Sequence, residues 1–379
     1  MDFVFCHQKP LIKLRIMLYH KSLFFVLAIL FSIALNAQTS FWVGTYTKDK
    51  SKGIYQYSID KNGKLSFIQL AATIPNPSFI AFSDNGRFLV SVREIANDNN
   101  SGEIQLYRVD KNNQLNPINN VSSGGAHPCF VDIKDNHVVA ANYTGGNIGL
   151  IQFNGKQLSQ PTDVAQHKGS GPNKSRQEKP HAHSAFFAPK SDLVFAVDLG
   201  IDAVKVYRTN KNKLQSYAEI KMAPGAGPRH LDFHPKADFI YVVNELSSSV
   251  SVVKHSNYSN FEIIQTTSTL PANFKAENTC ADIHVSSDGR FLYASNRGDD
   301  SIALFEILKN GKLKAIGHES TRGKTPRNFS LSPDEKFLLV ANQNTNNIVS
   351  FKRDRKTGQL TFVDEVKAPI PVCIRFKRR

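Results

Sequence analysis

Three features of this 379-residue chain predict an all-β fold, a seven-bladed β-propeller of four-stranded antiparallel blades. A frame of about 19 residues recurs along the chain. The stretches between the copies read as short strands joined by turns. The last copy is cut short in a way that the other end of the chain completes.

The repeat is seen by aligning GPRHLDFHPKADFIYVVNE (227–245), TCADIHVSSDGRFLYASNR (279–297) and TPRNFSLSPDEKFLLVANQ (325–343), which need no gap. Residues 75–94, 127–143 and 181–199 fit the same frame with small changes of length, and PVCIRF (371–376) begins a seventh copy. The second frame position falls at Pro77, Pro128, Ala182, Pro228, Cys280, Pro326 and Pro371, separated by 51, 54, 46, 52, 46 and 45 residues. Such a period suits one four-stranded blade.

Within each unit a short alternating strand meets a turn such as Ser287-Asp288-Gly289-Arg290, and a second strand rich in Phe, Leu, Val and Tyr follows. An Asn/Gly/Asp-rich turn leads to a third strand, and Lys64-Leu65, Lys312-Leu313 and Gln359-Leu360 each open a fourth. Alternation bounded by such turns is the strand and hairpin signature, and no long stretch has helical periodicity. At the other end, 41–47, 53–59 and 65–70 match the second, third and fourth strands. Residues 371–376 are therefore expected to pair with 41–47 and complete one blade from both ends of the chain. Closure of this kind removes exposed sheet edges.

One domain, residues 38–379, follows from this coverage. The segment before it differs in kind. Lys13, Arg15 and Lys21 precede an apolar run from Leu23 to Leu35, ending in Leu35-Asn36-Ala37. This reads as a secretory signal peptide over 1–37, too short for a membrane span. Met17 is the more ordinary start, which would make residues 1–16 an upstream extension. An exported protein, periplasmic or extracellular, is expected.

Loss of 1–37 removes four basic residues and one acid, lowering the net charge from +15 to +12. The remaining basic residues are scattered through polar turns, apart from the Arg375–Arg379 tail. They read as a solvated surface, and no nucleic-acid motif is found. Cys129, Cys280 and Cys373 are odd in number and widely spaced, which argues against a disulfide framework.

Two positions in the frame carry the functional reading. One starts the first strand, just after the frame's Pro. The other ends the second strand, sixteen residues later in most blades. An antiparallel hairpin returns both to the same end, so that they form two rings on one face of the disc. The first ring is Ser78, Cys129, His183, Arg229, Ala281, Arg327 and Val372; the second is Glu94, Tyr143, Leu199, Glu245, Arg297 and Gln343, with Tyr46 in the split blade. His127, His181 and His230 are adjacent. Units alike elsewhere diverge here, as a site grafted onto a scaffold requires.

A carboxylate, guanidiniums and imidazoles gathered at one opening suit acid–base hydrolysis, which needs a base to activate water, donors for an oxyanion and an acid for the leaving group. Glu245 is the expected base, His181 or His183 the acid, and Arg229 and Arg297 the anion holders. His183, His127, Tyr143, Glu94, Arg327 and His230 are expected to bind substrate. The competing reading is a structural ion pair between Arg229 and Glu245. A metal on His127, His181 and His183 lacks an acidic ligand at recognisable spacing, and no cofactor is expected.

Several segments carry a family resemblance over the whole mature chain. They are Gly44-Thr45-Tyr46-Thr47, Gly125-Ala126-His127-Pro128-Cys129, Ala141-Asn142-Tyr143-Thr144-Gly145-Gly146, Pro180-His181-Ala182-His183-Ser184, Asp198-Leu199-Gly200, Gly225-Ala226-Gly227-Pro228-Arg229-His230 and Asn244-Glu245-Leu246. Together they resemble the seven-bladed lactonase family, typified by propeller-type 6-phosphogluconolactonase and related to carboxy-cis,cis-muconate cyclase. The resemblance implies a metal-independent lactonase acting on a small, anionic lactone. It also implies a catalytic set of one His, two Arg and one Glu, matched here by His181, Arg229, Arg297 and Glu245. A lactonizing cyclase and a non-catalytic carbohydrate- or protein-binding propeller are the alternatives.

Overall fold

The repeated hairpin chemistry closes into a ring of seven four-stranded antiparallel sheets in the computed structural model, which describes Met1 and residues 38–377. The N-terminal segment and the last two arginines lie outside the described residues, and with them the expected signal peptide. Six sheets are built from consecutive strands, each paired with the next. In the fourth frame copy these are Pro228–Phe233, Phe239–Asn244, Ser249–Ser256 and Ser259–Ser268. Burial follows position. Inner strands such as Phe239–Asn244 are almost wholly buried, while the outer strand alternates between exposed and half-buried residues.

The split blade forms as expected. Pro371–Phe376 pairs antiparallel with Thr39–Thr45, with Phe41 opposite Phe376 and Val43 opposite Ile374. Gly53–Ile59 and Leu65–Thr73 complete the sheet. The closing strand is well packed, with Cys373 and Ile374 fully buried and Val372 nearly so. Trp42 on its neighbour is also fully buried, and its ring meets Phe82 of the next blade edge-on at 5.0 Å.

Gly44 explains why so small a residue stands beside the seam: a Cβ there would lie 2.3 Å from the Pro77 carbonyl oxygen. Each fully buried apolar side chain is worth about 1.5–3 kcal/mol. Deleting residues 371–379 is therefore expected to destabilise the ring by roughly 5 kcal/mol or more. Thermal denaturation followed by circular dichroism checks this; an unchanged midpoint would contradict closure by this strand.

The recurring Asn of the second strand serves turns, as its repetition suggests. Asn244 Nδ2 donates to Ser249 and Ser251, each at 3.0 Å, and Asn296 Nδ2 donates to the Thr269 carbonyl at 2.8 Å.

Candidate active site at the channel mouth

A backbone irregularity aims the first ring of side chains. Pro228 pairs with Asn244 but His230 pairs with Val243, leaving Arg229 as an extra residue on the inner strand. The same slip leaves out Cys129, His183, Arg327 and Val372. A β-bulge turns its extra residue away from the ladder and bends the strand. Here it gathers side chains from separate blades around the channel axis.

Glu245 stands at the centre of a cluster of guanidinium groups. Its Oε2 is 3.0 Å from Arg229 Nε and 2.9 Å from Arg297 Nη2, and its Oε1 accepts from Arg176 Nη2 at 2.7 Å. The carboxylate is only 4% exposed. Burial would push it up, but Arg297, Arg229 and Arg176 override this and pull it down to about 2. A carboxylate so firmly ionised is a weak proton acceptor at neutral pH. Three guanidiniums on one carboxylate disfavour the base role expected for Glu245. The ion pair with Arg229 exists, and it belongs to a four-membered cluster rather than to one hairpin.

Arg229 is equally buried. Desolvation, with the nearby charges of Arg297 and Arg327, pushes it down to about 9, against the pull of Glu245 and Asp282. A guanidinium remains a cation there at neutral pH. Arg297 also donates to the Cys280 carbonyl at 2.8 Å.

The second carboxylate has the opposite environment. Tyr46 Oη lies 3.1 and 3.0 Å from the two oxygens of Glu94 and donates to them, while Ser78 Oγ donates to Oε2. Arg327 Nη2 donates to Tyr46 Oη at 3.0 Å. Burial raises the Glu94 carboxyl, and Arg327, Ser78 and Tyr46 oppose that rise without cancelling it. Arg327 is held up by Tyr46, Glu94 and Glu245 against its own burial, so it links the two carboxylates electrostatically.

Glu94, Tyr46, His127 and Gln343 line an open cavity of about 620 Å³, whose rim adds Lys48 and the amides of Asn76, Asn344 and Asn346. Arg229 and Glu245 are not among its lining residues. They lie deeper, beneath Arg176.

The histidines separate. His127 faces the cavity, with Nδ1 3.0 Å from Thr144 Oγ1. His181 stacks on Tyr143 at 4.5 Å; its Nδ1 faces the Tyr143 carbonyl at 3.1 Å and its Nε2 the Glu178 carboxylate at 3.0 Å. His183 lies in the channel, 3.8 Å from Cys129 Sγ. Burial, then Arg229, His230, Arg327 and Arg297, lowers it well below the usual histidine range. These surroundings disfavour the imidazolium form that the acid role expected for it would use. His230, expected to touch substrate at this mouth, lines instead a second cavity at the other end of the channel.

Comparison with known proteins decides the family. Residues 40–376 match the family model described as "Lactonase, 7-bladed beta-propeller". The chain belongs to this lactonase family. It is 40% identical over 344 residues to the 6-phosphogluconolactonase of Bacillus subtilis (strain 168), covering 88% of this chain and 97% of that protein. It is 38% identical over 336 residues to the 6-phosphogluconolactonase of Formosa agariphila, covering 84% and 94%. Among solved structures, the periplasmic gluconolactonase PpgL of Pseudomonas aeruginosa superposes with a TM-score of 0.84 at 31% identity, covering 90% of this chain and 99% of that one.

One residue of this lactonase-family site escaped the repeat frame. Arg176 lies in the connection between strands Leu158–Gln166 and Ala182–Phe187. Gln177 anchors that loop, donating to the Leu199 carbonyl at 2.8 Å and to Asp202 at 2.7 Å. A buried pair of His167 and Asp198 at 2.6 Å fastens its start. From there Arg176 reaches Glu245 and lies 3.3 Å from Tyr143 Oη, with 36% of its side chain exposed. The one signal was length: the gap from Pro128 to Ala182 is the longest of the six.

Proposed function

We propose that this chain hydrolyses the lactone of a polyhydroxylated acid, in the manner of a 6-phosphogluconolactonase, to the open-chain acid. The observation that carries this reading is a pair of carboxylates at one channel mouth in opposite surroundings, Glu245 against three guanidiniums and Glu94 against two hydroxyls beside the open cavity. Such separation is how acid–base roles are divided between like groups. Glu94, raised and beside the open cavity, is the proton acceptor. Glu245, locked by three arginines, organises positive charge.

Glu94 takes a proton from water as the water oxygen bonds to the lactone carbonyl carbon. The resulting oxyanion develops in the field of Arg327 and of Arg176, the most exposed guanidinium around Glu245. Collapse restores the carbonyl, breaks the ring C–O bond and returns the proton from Glu94 to the departing alkoxide. The amides of Asn76, Gln343, Asn344 and Asn346 suit hydroxyl groups, and Lys48 offers a cation to an anionic substituent beside the acid Asp49. Export belongs to the same proposal and rests on the N-terminal segment; it favours an unphosphorylated sugar-acid lactone as the substrate met outside the cytoplasm.

Residues 38–379 are expected to release acid from an aldonolactone above the spontaneous rate, with 6-phosphogluconolactone and a muconolactone as comparison substrates. Titration at constant pH, with and without chelator, is the measurement. Loss of turnover on chelation would contradict a metal-free reaction. Absence of turnover on every lactone, with binding of a glycan, would replace the enzyme by a binding propeller.

A further inference from the structure

Behind Arg229 lies a buried imidazole in a cage of aromatic rings. His230 follows Arg229 on the inner strand and is 3% exposed. Its ring packs edge-on against Phe130 at 5.4 Å, Phe79 at 5.9 Å and Phe186 at 6.1 Å. On the other side it meets His183 at 5.4 Å. Its two nitrogens point to different partners: Nδ1 lies 2.7 Å from Asp282 Oδ1, and Nε2 lies 3.4 Å from Arg229 Nη1.

Asp282 has nitrogen partners on both oxygens, an arrangement that favours the ionised, accepting form. Burial would raise its carboxyl, but His284 and His230 override burial and hold it well below the usual carboxylate range. Its other oxygen takes Nδ2 of Asn328 and, at 3.1 Å, faces His284 Nε2. The hydrogen on His230 must therefore sit on Nδ1. Burial and the Arg229 charge push His230 down to about 4, so a neutral ring has no second hydrogen at pH 7. Nε2 is left as an acceptor for the guanidinium. An outer partner that fixes the tautomer of a histidine in this way also fixes what the other nitrogen can hold.

We propose that Asp282 and His230 are positioning residues, a relay from behind the channel that orients Arg229 and, through it, the carboxylate of Glu245. This rests on the lactonase reading of the site. The relay makes Arg229 a clamped group: Nη1 is shared between His230 Nε2 and the Ala281 carbonyl, leaving Nε against Glu245. Such restraint matters because small misplacements of a charged group reduce rates steeply.

Two measurements test it, one of them independent of turnover. Nitrogen-detected NMR of the histidines between pH 6 and 8 is expected to show His230 as the neutral tautomer with hydrogen on Nδ1. An Nε2–H tautomer or an imidazolium would overturn the relay whether or not any lactone is hydrolysed. In the assay, His230→Phe keeps ring volume but offers no acceptor, and is expected to lower kcat about 10- to 100-fold with KM within about twofold. His230→Gln places an oxygen near the position of Nε2 and is expected to recover most of that loss. Equal kcat in His230→Phe and the parent, or no difference between the Phe and Gln variants, would leave His230 a packing residue.

Discussion

Glu94→Gln is expected to lower kcat about 10²- to 10⁴-fold, the range for removing a general acid–base group. The substitution keeps shape and leaves an amide oxygen for Ser78 and Tyr46, so the fold is expected to persist. What disappears is proton affinity near the cavity. On the proposed mechanism the parent protein should gain activity as pH rises through the elevated value of Glu94, because only the ionised form accepts a proton. The variant should lack that limb.

Stability has the opposite sign. A carboxyl whose folded value is raised contributes stability that is complete below the unfolded value of about 4.5 and is lost as pH rises through the folded value. The glutamine variant should therefore melt closer to, or above, the parent at pH 8 than at pH 4. Unchanged kcat in Glu94→Gln, with the parent's pH profile intact, would remove Glu94 from the chemistry.

The rings of functional residues were legible because register in a hairpin is arithmetic. Pairing Pro228 with Asn244 brings Arg229 and Glu245 to one end whatever the packing. Seven copies of that relation, and a split blade sealed by Pro371–Phe376, needed only turn chemistry and alternation to be seen. Three things were not legible, each for a physical reason. Arg176 comes from a connection outside the frame, so no periodicity marks it. His230 was grouped with the mouth because it neighbours Arg229 in sequence. The bulge that turns Arg229 to one side leaves His230 paired with Val243 and packed in the aromatic cage behind. The division of labour between Glu94 and Glu245 depends on how many cations each carboxylate meets. The frame gives both glutamates the same position, and only the packed site shows three guanidiniums on one and two hydroxyls on the other.

Glu245→Gln is expected to damage both stability and turnover, and the order of events on titration should show why. Removing one partner of a buried ionic cluster leaves the others without compensation, which costs about 3–5 kcal/mol. Arg176, Arg229 and Arg297 would all lose their counter-charge, and a melting temperature lower by roughly 5 °C or more is expected for a domain of this size. In the parent, a depressed folded carboxyl contributes stability that is present above about 4.5 and is lost as pH falls toward about 2. The variant should be less sensitive to acid across that window and less stable than the parent above it. Inorganic phosphate should raise the variant's melting temperature more than the parent's, because an anion can replace the missing charge. Turnover should fall by about 10²-fold or more even where the variant is folded, since Arg176, one of the two guanidiniums proposed to meet the oxyanion, is no longer held in place. A variant that melts like the parent, ignores phosphate and keeps its kcat would mean that the cluster neither holds the mouth together nor supplies the field that the proposed lactone opening requires.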